Sequence, residues 1–120
     1  MLEDRKERKR AYLEAPRPMG AFVIRNTVNG KVLLGVSLDL SGILNRHRFQ
    51  LRHGSHPNRA LQADWGEFGE AAFAFEILDE LKPKEGQSPA GELAVLEALW
   101  LEKLRPWGDR GYHNPPKELS

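Results

Sequence analysis

Asn29-Gly30 constrains this chain more than any other feature. It stands between two β-rich runs, Gly20-Ala-Phe-Val-Ile-Arg25 and Lys31-Val-Leu-Leu-Gly-Val-Ser37. A tight turn between paired strands needs positive φ, which Asn and Gly tolerate, and the twist of such a turn matches that of the strands. The spacing predicts an antiparallel hairpin. A third strand is expected at Phe73-Ala-Phe-Glu-Ile77, whose alternation puts three apolar side chains on one face.

Helices are expected between and after these strands. Asp39 suits an N-cap, followed by Leu40, Ile43, Leu44, His47 and Leu51 at helical spacing, and Gly54 suits the C-terminal stop. Pro57 suits the first turn of a second helix carrying Leu61, Trp65 and Phe68. Lys82 to Gly91, rich in Pro and Gly, reads as a loop. Glu92 to Leu104 reads as a long helix with Leu93, Leu96, Leu99, Trp100 and Leu104 as its apolar stripe. The order is hairpin, helices, strand, helix. It predicts an α+β domain, a three-stranded antiparallel sheet flanked by helices. A charged arm or helix is expected over 1–19, the domain over 20–114 and a short tail over 115–120.

The 120 residues match one domain with one modest core. The chain has no cysteine, which removes disulfides, thiolate metal sites and Cys nucleophiles. No apolar run approaches the ~20 residues of a membrane helix. The first ten residues carry charges and no apolar h-region, so they do not read as a signal peptide. These features predict a cytoplasmic protein that avoids membranes. No serine lies in a nucleophile elbow, and no glycine-rich phosphate loop is present.

A formal charge of +1 hides a strong asymmetry. Leu40 to Gln62 holds Arg46, Arg48, Arg52 and Arg59 with His47, His53 and His56, and no acid. Ala63 to Glu102 holds ten acids against Lys82 and Lys84. A local cationic stretch on a nearly neutral chain predicts a directed anion-binding face, and a solvated helix surface is the plainer alternative.

Two residues are out of place. Glu97 lies on or beside the apolar stripe of the last helix, with Leu93 and Leu101 at i−4 and i+4. A carboxylate there needs a tertiary cation such as Arg46 or Arg105, a donor, a metal or water. His47 lies on the apolar side of the first long helix. His47, His53 and His56 have ligand chemistry for zinc or nickel, but Gly54 interrupts the helix between them and Arg52 opposes a dication.

Gly20-Ala-Phe22, Asn29-Gly-Lys-Val-Leu33-Leu-Gly35 and Asn45-Arg-His47 resemble the opening of the GIY-YIG nuclease family. Further matching text is His53-Gly-Ser-His56, Leu61-Gln62 with Trp65, Phe73-x-Phe75-Glu-Ile-Leu78, Glu97-x-x-Trp100 and Gly111-Tyr112. The resemblance runs from about Gly20 to Asn114. It implies a three-stranded antiparallel sheet with flanking helices, in agreement with the pattern above. It also implies two signature tyrosines, a helix arginine and a glutamate that holds one Mg²⁺ or Mn²⁺ while water attacks a phosphodiester. Here the tyrosine positions hold Phe22 and Leu33, and the arginine position holds Ile43. Glu97 matches the metal-binding glutamate, and His47 and His56 match histidines near the site in homing members. His113 takes the place of a frequent asparagine. Losing the electrostatic partner costs on the order of 10²–10³ in rate. Losing the general base costs a further ~10²–10⁴, with no requirement that the two multiply.

The leading expectation is a DNA-binding domain of this fold with lost or strongly reduced phosphodiesterase activity. Arg46, Arg48, Arg52, His56 and Arg59 would contact nucleic acid, mostly at phosphates. The first alternative is an active Mg²⁺- or Mn²⁺-dependent DNA endonuclease with an altered set: Glu97 as metal ligand, His47 as base and Arg46 as clamp. The second is a protein-interaction module that uses the acidic half against a protein partner.

Overall fold

The computed structural model describes residues 18–82, 86 and 88–116, and the expected arm over 1–17 and tail end over 117–120 lie outside them. The elements are β1 (Met19–Asn26), β2 (Val32–Ser37), α1 (Leu40–Arg52), α2 (Arg59–Phe68), β3 (Phe73–Leu81) and α3 (Pro89–Leu104), with short 3-10 turns at Glu70–Ala72 and Gly108–Arg110. The fold is α+β, and its antiparallel sheet has the order β2-β1-β3.

The hairpin forms, but not through a two-residue Asn-Gly turn: the strands end at Asn26 and resume at Val32, and Gly30 takes positive φ (+80) while Asn29 does not. Gly30 N–H donates to the Asn26 carbonyl at 2.8 Å, and Lys31 N–H donates to Asn29 Oδ1 at 2.9 Å. The central strand β1 is buried on both faces, and its alternation serves two cores. Phe22 and Ile24 pack with Leu40, Leu51, Leu61 and Trp65, on the side of α1 and α2. Val23 packs with Val32 and Leu34 against Trp100, Leu101 and Leu104 of α3. The domain therefore has three layers: α1 and α2, the sheet, and α3.

Several boundaries differ from the sequence expectation. Strand β3 runs to Leu81, past Ile77. A bulge opposite Ala21/Phe22 re-phases it, pairing Phe22 with Ile77 but Ala21 with Asp79 and Met19 with Leu81. Gly20 stands at φ +153 beside this bulge, where a Cβ would collide with the Asp79 carbonyl. Helix α3 starts at Pro89, capped by Ser88, because proline at the first turn forfeits no hydrogen bond. Asn58 caps α2, so Pro57 precedes that helix and does not open it. Leu99 was expected on the buried stripe of α3 but is 63% exposed. With Leu81, Val95 and Leu96 it lines an apolar groove, a feature absent from the sequence expectation. Among the described residues, no helix is long and apolar enough to cross a membrane.

Candidate active site

Strand β2 is an edge strand, and its outer side is only partly covered. Gly111 bridges to Val32, Tyr112 N–H donates to the Val32 carbonyl at 3.0 Å, and Leu34 N–H donates to His113 Nε2 at 2.8 Å. Beyond that cover a concavity of about 480 Å³ opens, lined by Phe22, Leu33, Ile43, His47, His56 and Glu97 among others. Strand β1, strand β2, α1, the loop before α2 and α3 each contribute. Residues up to 75 positions apart (Phe22 to Glu97) meet here.

Its floor is apolar. Phe22 is 2% exposed, and Leu33 and Ile43 pack onto the same core cluster. The Phe22 ring lies across its cross-strand partner Gly35, where an added methyl would sit 2.6 Å from ring Cζ. Glycine at 35 thus gives the ring its place.

The wall from α1 and the following loop is polar. His47 projects from α1 beside Phe22, with ring centroids 5.4 Å apart. His47 Nδ1 lies 2.7 Å from His56 Nε2, with ring planes inclined by 28° and centroids 5.0 Å apart, a hydrogen bond between the two imidazoles. The loop that carries His56 is held by α2. Gln62 accepts from His56 N–H at 3.0 Å and donates to the Leu51 carbonyl at 3.0 Å. Asn58 N–H donates to His56 Nδ1 at 3.0 Å, and Asn58 Nδ2 donates to the Tyr112 carbonyl at 2.9 Å. Burial lowers the His47 pKa to about 4, with His56 and Arg46 adding to the effect. Burial also lowers His56. His113 is lowered by burial too, partly offset by the Glu97 carboxylate.

Glu97, half-buried, reaches the same concavity from α3, on the His113 side. Among the described residues it joins no ion pair, and Arg105 turns to Glu102 at 3.6 Å. His53 stands apart: its Nδ1 bonds the Phe49 carbonyl at 2.8 Å and its ring lies on Phe49. Among the described residues, no group of three or more His, Asp or Glu gathers as a metal cage. Glu97 can still supply one carboxylate oxygen, and Mg²⁺ is commonly held by one or two carboxylates plus water and phosphate oxygens.

The arginines do not form one free row. Arg52 makes a two-pronged pair with Glu70 at 2.7 and 2.6 Å, and the Arg48 guanidinium lies 4.3 Å above the Phe75 ring. Arg46 and Arg59 are exposed, and among the described residues neither joins an ion pair. Sequence reading missed a buried network. Tyr112 Oη donates to Asp64 Oδ2 at 2.8 Å and accepts from Asn26 Nδ2 at 3.1 Å. Asn26, Asp64 and Tyr112 are far apart in sequence, and no local pattern pairs them.

The sheet order, the flanking helices and this edge-strand concavity define a GIY-YIG-like fold, the fold of a class of nucleases. Two solved structures share it. The catalytic domain of homing endonuclease I-TevI is 28% identical, with a TM-score of 0.65, over 78% of this chain and 95% of that one. A mutant catalytic domain of intron endonuclease I-TevI is 26% identical, with a TM-score of 0.62, over 73% and 84%. No protein-family model and no curated protein matches the chain. The structural likeness supports a nuclease-like, DNA-related role.

Proposed function

We propose that this chain is a nucleic-acid-binding domain on a nuclease scaffold, with phosphodiesterase activity lost or strongly reduced. One observation carries this reading. Phe22, Leu33 and Ile43, at the tyrosine and arginine positions of the family resemblance, converge on the floor of one concavity, Phe22 buried in the core and Leu33 and Ile43 half-buried against it. None can move a proton or face a phosphate with charge. Phosphate contact falls to Arg46 and Arg59, the exposed cations of the basic stretch, while Glu70 and Phe75 occupy Arg52 and Arg48.

A second reading has its own observation: Glu97 lines the concavity without an ion pair among the described residues, and its charge is felt at His113. Glu97 would hold Mg²⁺ or Mn²⁺, which supplies Lewis acidity at a phosphodiester when bound. Arg46 would steady the substrate. Nicking of supercoiled plasmid in Mn²⁺ by the chain and by Glu97→Ala separates the readings, with binding measured on the same samples at two salt concentrations. The first reading expects binding that weakens steeply with salt and no nicking by either protein. Nicking lost in Glu97→Ala establishes the second, and salt-insensitive affinity without nicking refutes the first.

A further inference from the structure

The histidine pair has a direction built into it. A peptide N–H is always a donor, so His56 Nδ1, which accepts from Asn58 N–H, is unprotonated. Neutral His56 therefore carries its proton on Nε2. That proton lies on the 2.7 Å line to His47 Nδ1, which must accept it. Neutral His47 then carries its own proton on Nε2. The opposite order would set a His56 Nδ1–H against the Asn58 N–H, two donors with no acceptor between them. An added proton meets the same obstacle at either Nδ1.

The free edge of His47 is open. Its Nε2 makes no hydrogen bond among the described residues, yet none of their buried side-chain nitrogens lacks a partner. Nε2 therefore reaches solvent. Phe22, Leu33 and Ile43 bring no donor to the concavity, and Glu97 brings a carboxylate that accepts.

We propose that His47 is a fixed hydrogen-bond donor, held in its Nε2–H form by His56 and the Asn58 main chain, and that this N–H binds a non-bridging phosphodiester oxygen. The ligand rests on the nucleic-acid reading above; the direction rests on the protein's own hydrogen bonds. His56 and Asn58 are positioning residues. On this proposal His47 donates where the sequence expectation has it act as a base, because a nitrogen that already carries a proton takes none from water. A donor fixed by its neighbours needs little reorganisation to meet an anionic oxygen. Gln62 and the Asn58 side chain, bonded to Leu51 and Tyr112, hold the loop that sets the direction.

Nitrogen-15 NMR of the full chain tests the direction. Both histidines should show a protonated Nε2 and an unprotonated Nδ1, with a ¹⁵N–¹⁵N coupling across the hydrogen bond and the proton on His56. A proton on His47 Nδ1 overturns the proposal. Titration with a DNA duplex tests the ligand. The His47 Nε2–H signal should shift on saturation, His47→Gln should keep affinity because its amide offers a donor, and His47→Leu should lose about tenfold. An unmoved His47 signal on saturated protein, or equal affinity for the two variants, overturns the ligand. Failure to bind DNA at all overturns the nucleic-acid reading and the ligand with it, while the nitrogen shifts still decide the direction.

Discussion

Tyr112→Phe tests the buried network that holds the C-terminal strap against the hairpin. The substitution keeps the ring, which is 8% exposed, so packing is nearly conserved. It deletes one oxygen with two bonds: the donation to Asp64 Oδ2 at 2.8 Å and the acceptance from Asn26 Nδ2 at 3.1 Å. Asn26 is fully buried, and its amide retains only a contact at 3.5 Å to Asp64. A buried donor left short of a partner costs about 1–3 kcal/mol. Asp64 keeps the Asn29 amide at 3.3 Å and reaches water, so its loss adds little. The sum is about 1–3 kcal/mol, equivalent to a fall in Tm of roughly 4–12 °C at this chain length. The pH profile gives a second reading. Burial pushes the Tyr112 phenol up from 10.0 to about 12, and the Asp64 carboxylate adds to the effect. The folded state thus keeps a proton that the unfolded state releases near 10, so its stability contribution is complete below pH 10 and lost between 10 and 12. Denaturant titration of both proteins from pH 7 to 11 measures both effects. A loss below about 0.5 kcal/mol at pH 7, or the same alkaline decline in Tyr112→Phe, refutes the account.

Two other predictions follow from the basic stretch and the histidine pair. Arg46→Gln should reduce the slope of log affinity against log salt for DNA by about one, whereas Arg52→Gln should leave it unchanged because Glu70 already occupies that guanidinium; equal slopes in the two variants, read by fluorescence anisotropy, would contradict this. The folded pKa of His47 near 4 lies below its ordinary 6.5, so the unfolded chain binds a proton in that window that the folded one refuses. Stability should fall by about 1–2 kcal/mol, after allowance for solvent screening, as pH drops from 6.5 to 4. Urea midpoints should show a shallower acid decline in His47→Gln.

The hairpin was legible because its signal is local: two strand-forming runs on either side of Asn-Gly. The layers around it followed from helical spacing in α1 and α3. The far half of β3 was not legible, because Asp79 and Glu80 end the apolar alternation at Ile77, while the bulge opposite Ala21 keeps them in register as an exposed edge. Leu99 was misplaced because an apolar residue at helical spacing shows its phase but not whether a neighbour covers it. In the site, Phe22, Leu33, Ile43, His47, His56 and Glu97 were each singled out in sequence, and the structure brings them together in one concavity. The employment of the arginines was hidden. The partners of Arg52 and Arg48 lie at Glu70 and Phe75, in the half of the chain whose charge pattern suggested a separate surface.

Loss of an active site by drift leaves vacancies, and this concavity is differently built. A Tyr-to-Phe change alone would keep the ring and forfeit an oxygen. Here Leu33 and Ile43 also pack, half-buried, against the cluster of Phe22, Ile24 and Leu51, so the floor of the concavity is a continuous apolar surface. The polar wall is preserved in the opposite sense: His47, His56, Gln62 and Asn58 form a continuous chain of bonds from α1 to α2 and on to the Tyr112 carbonyl. Buried polar groups persist at low cost only when each is satisfied. A closed chain of this kind tolerates the loss of its catalytic neighbours, because none of its bonds runs through Phe22, Leu33 or Ile43. On the proposed reading, the apolar floor would forgo proton transfer while the polar wall keeps a fixed donor, which would suit a site that holds a phosphodiester without cutting it.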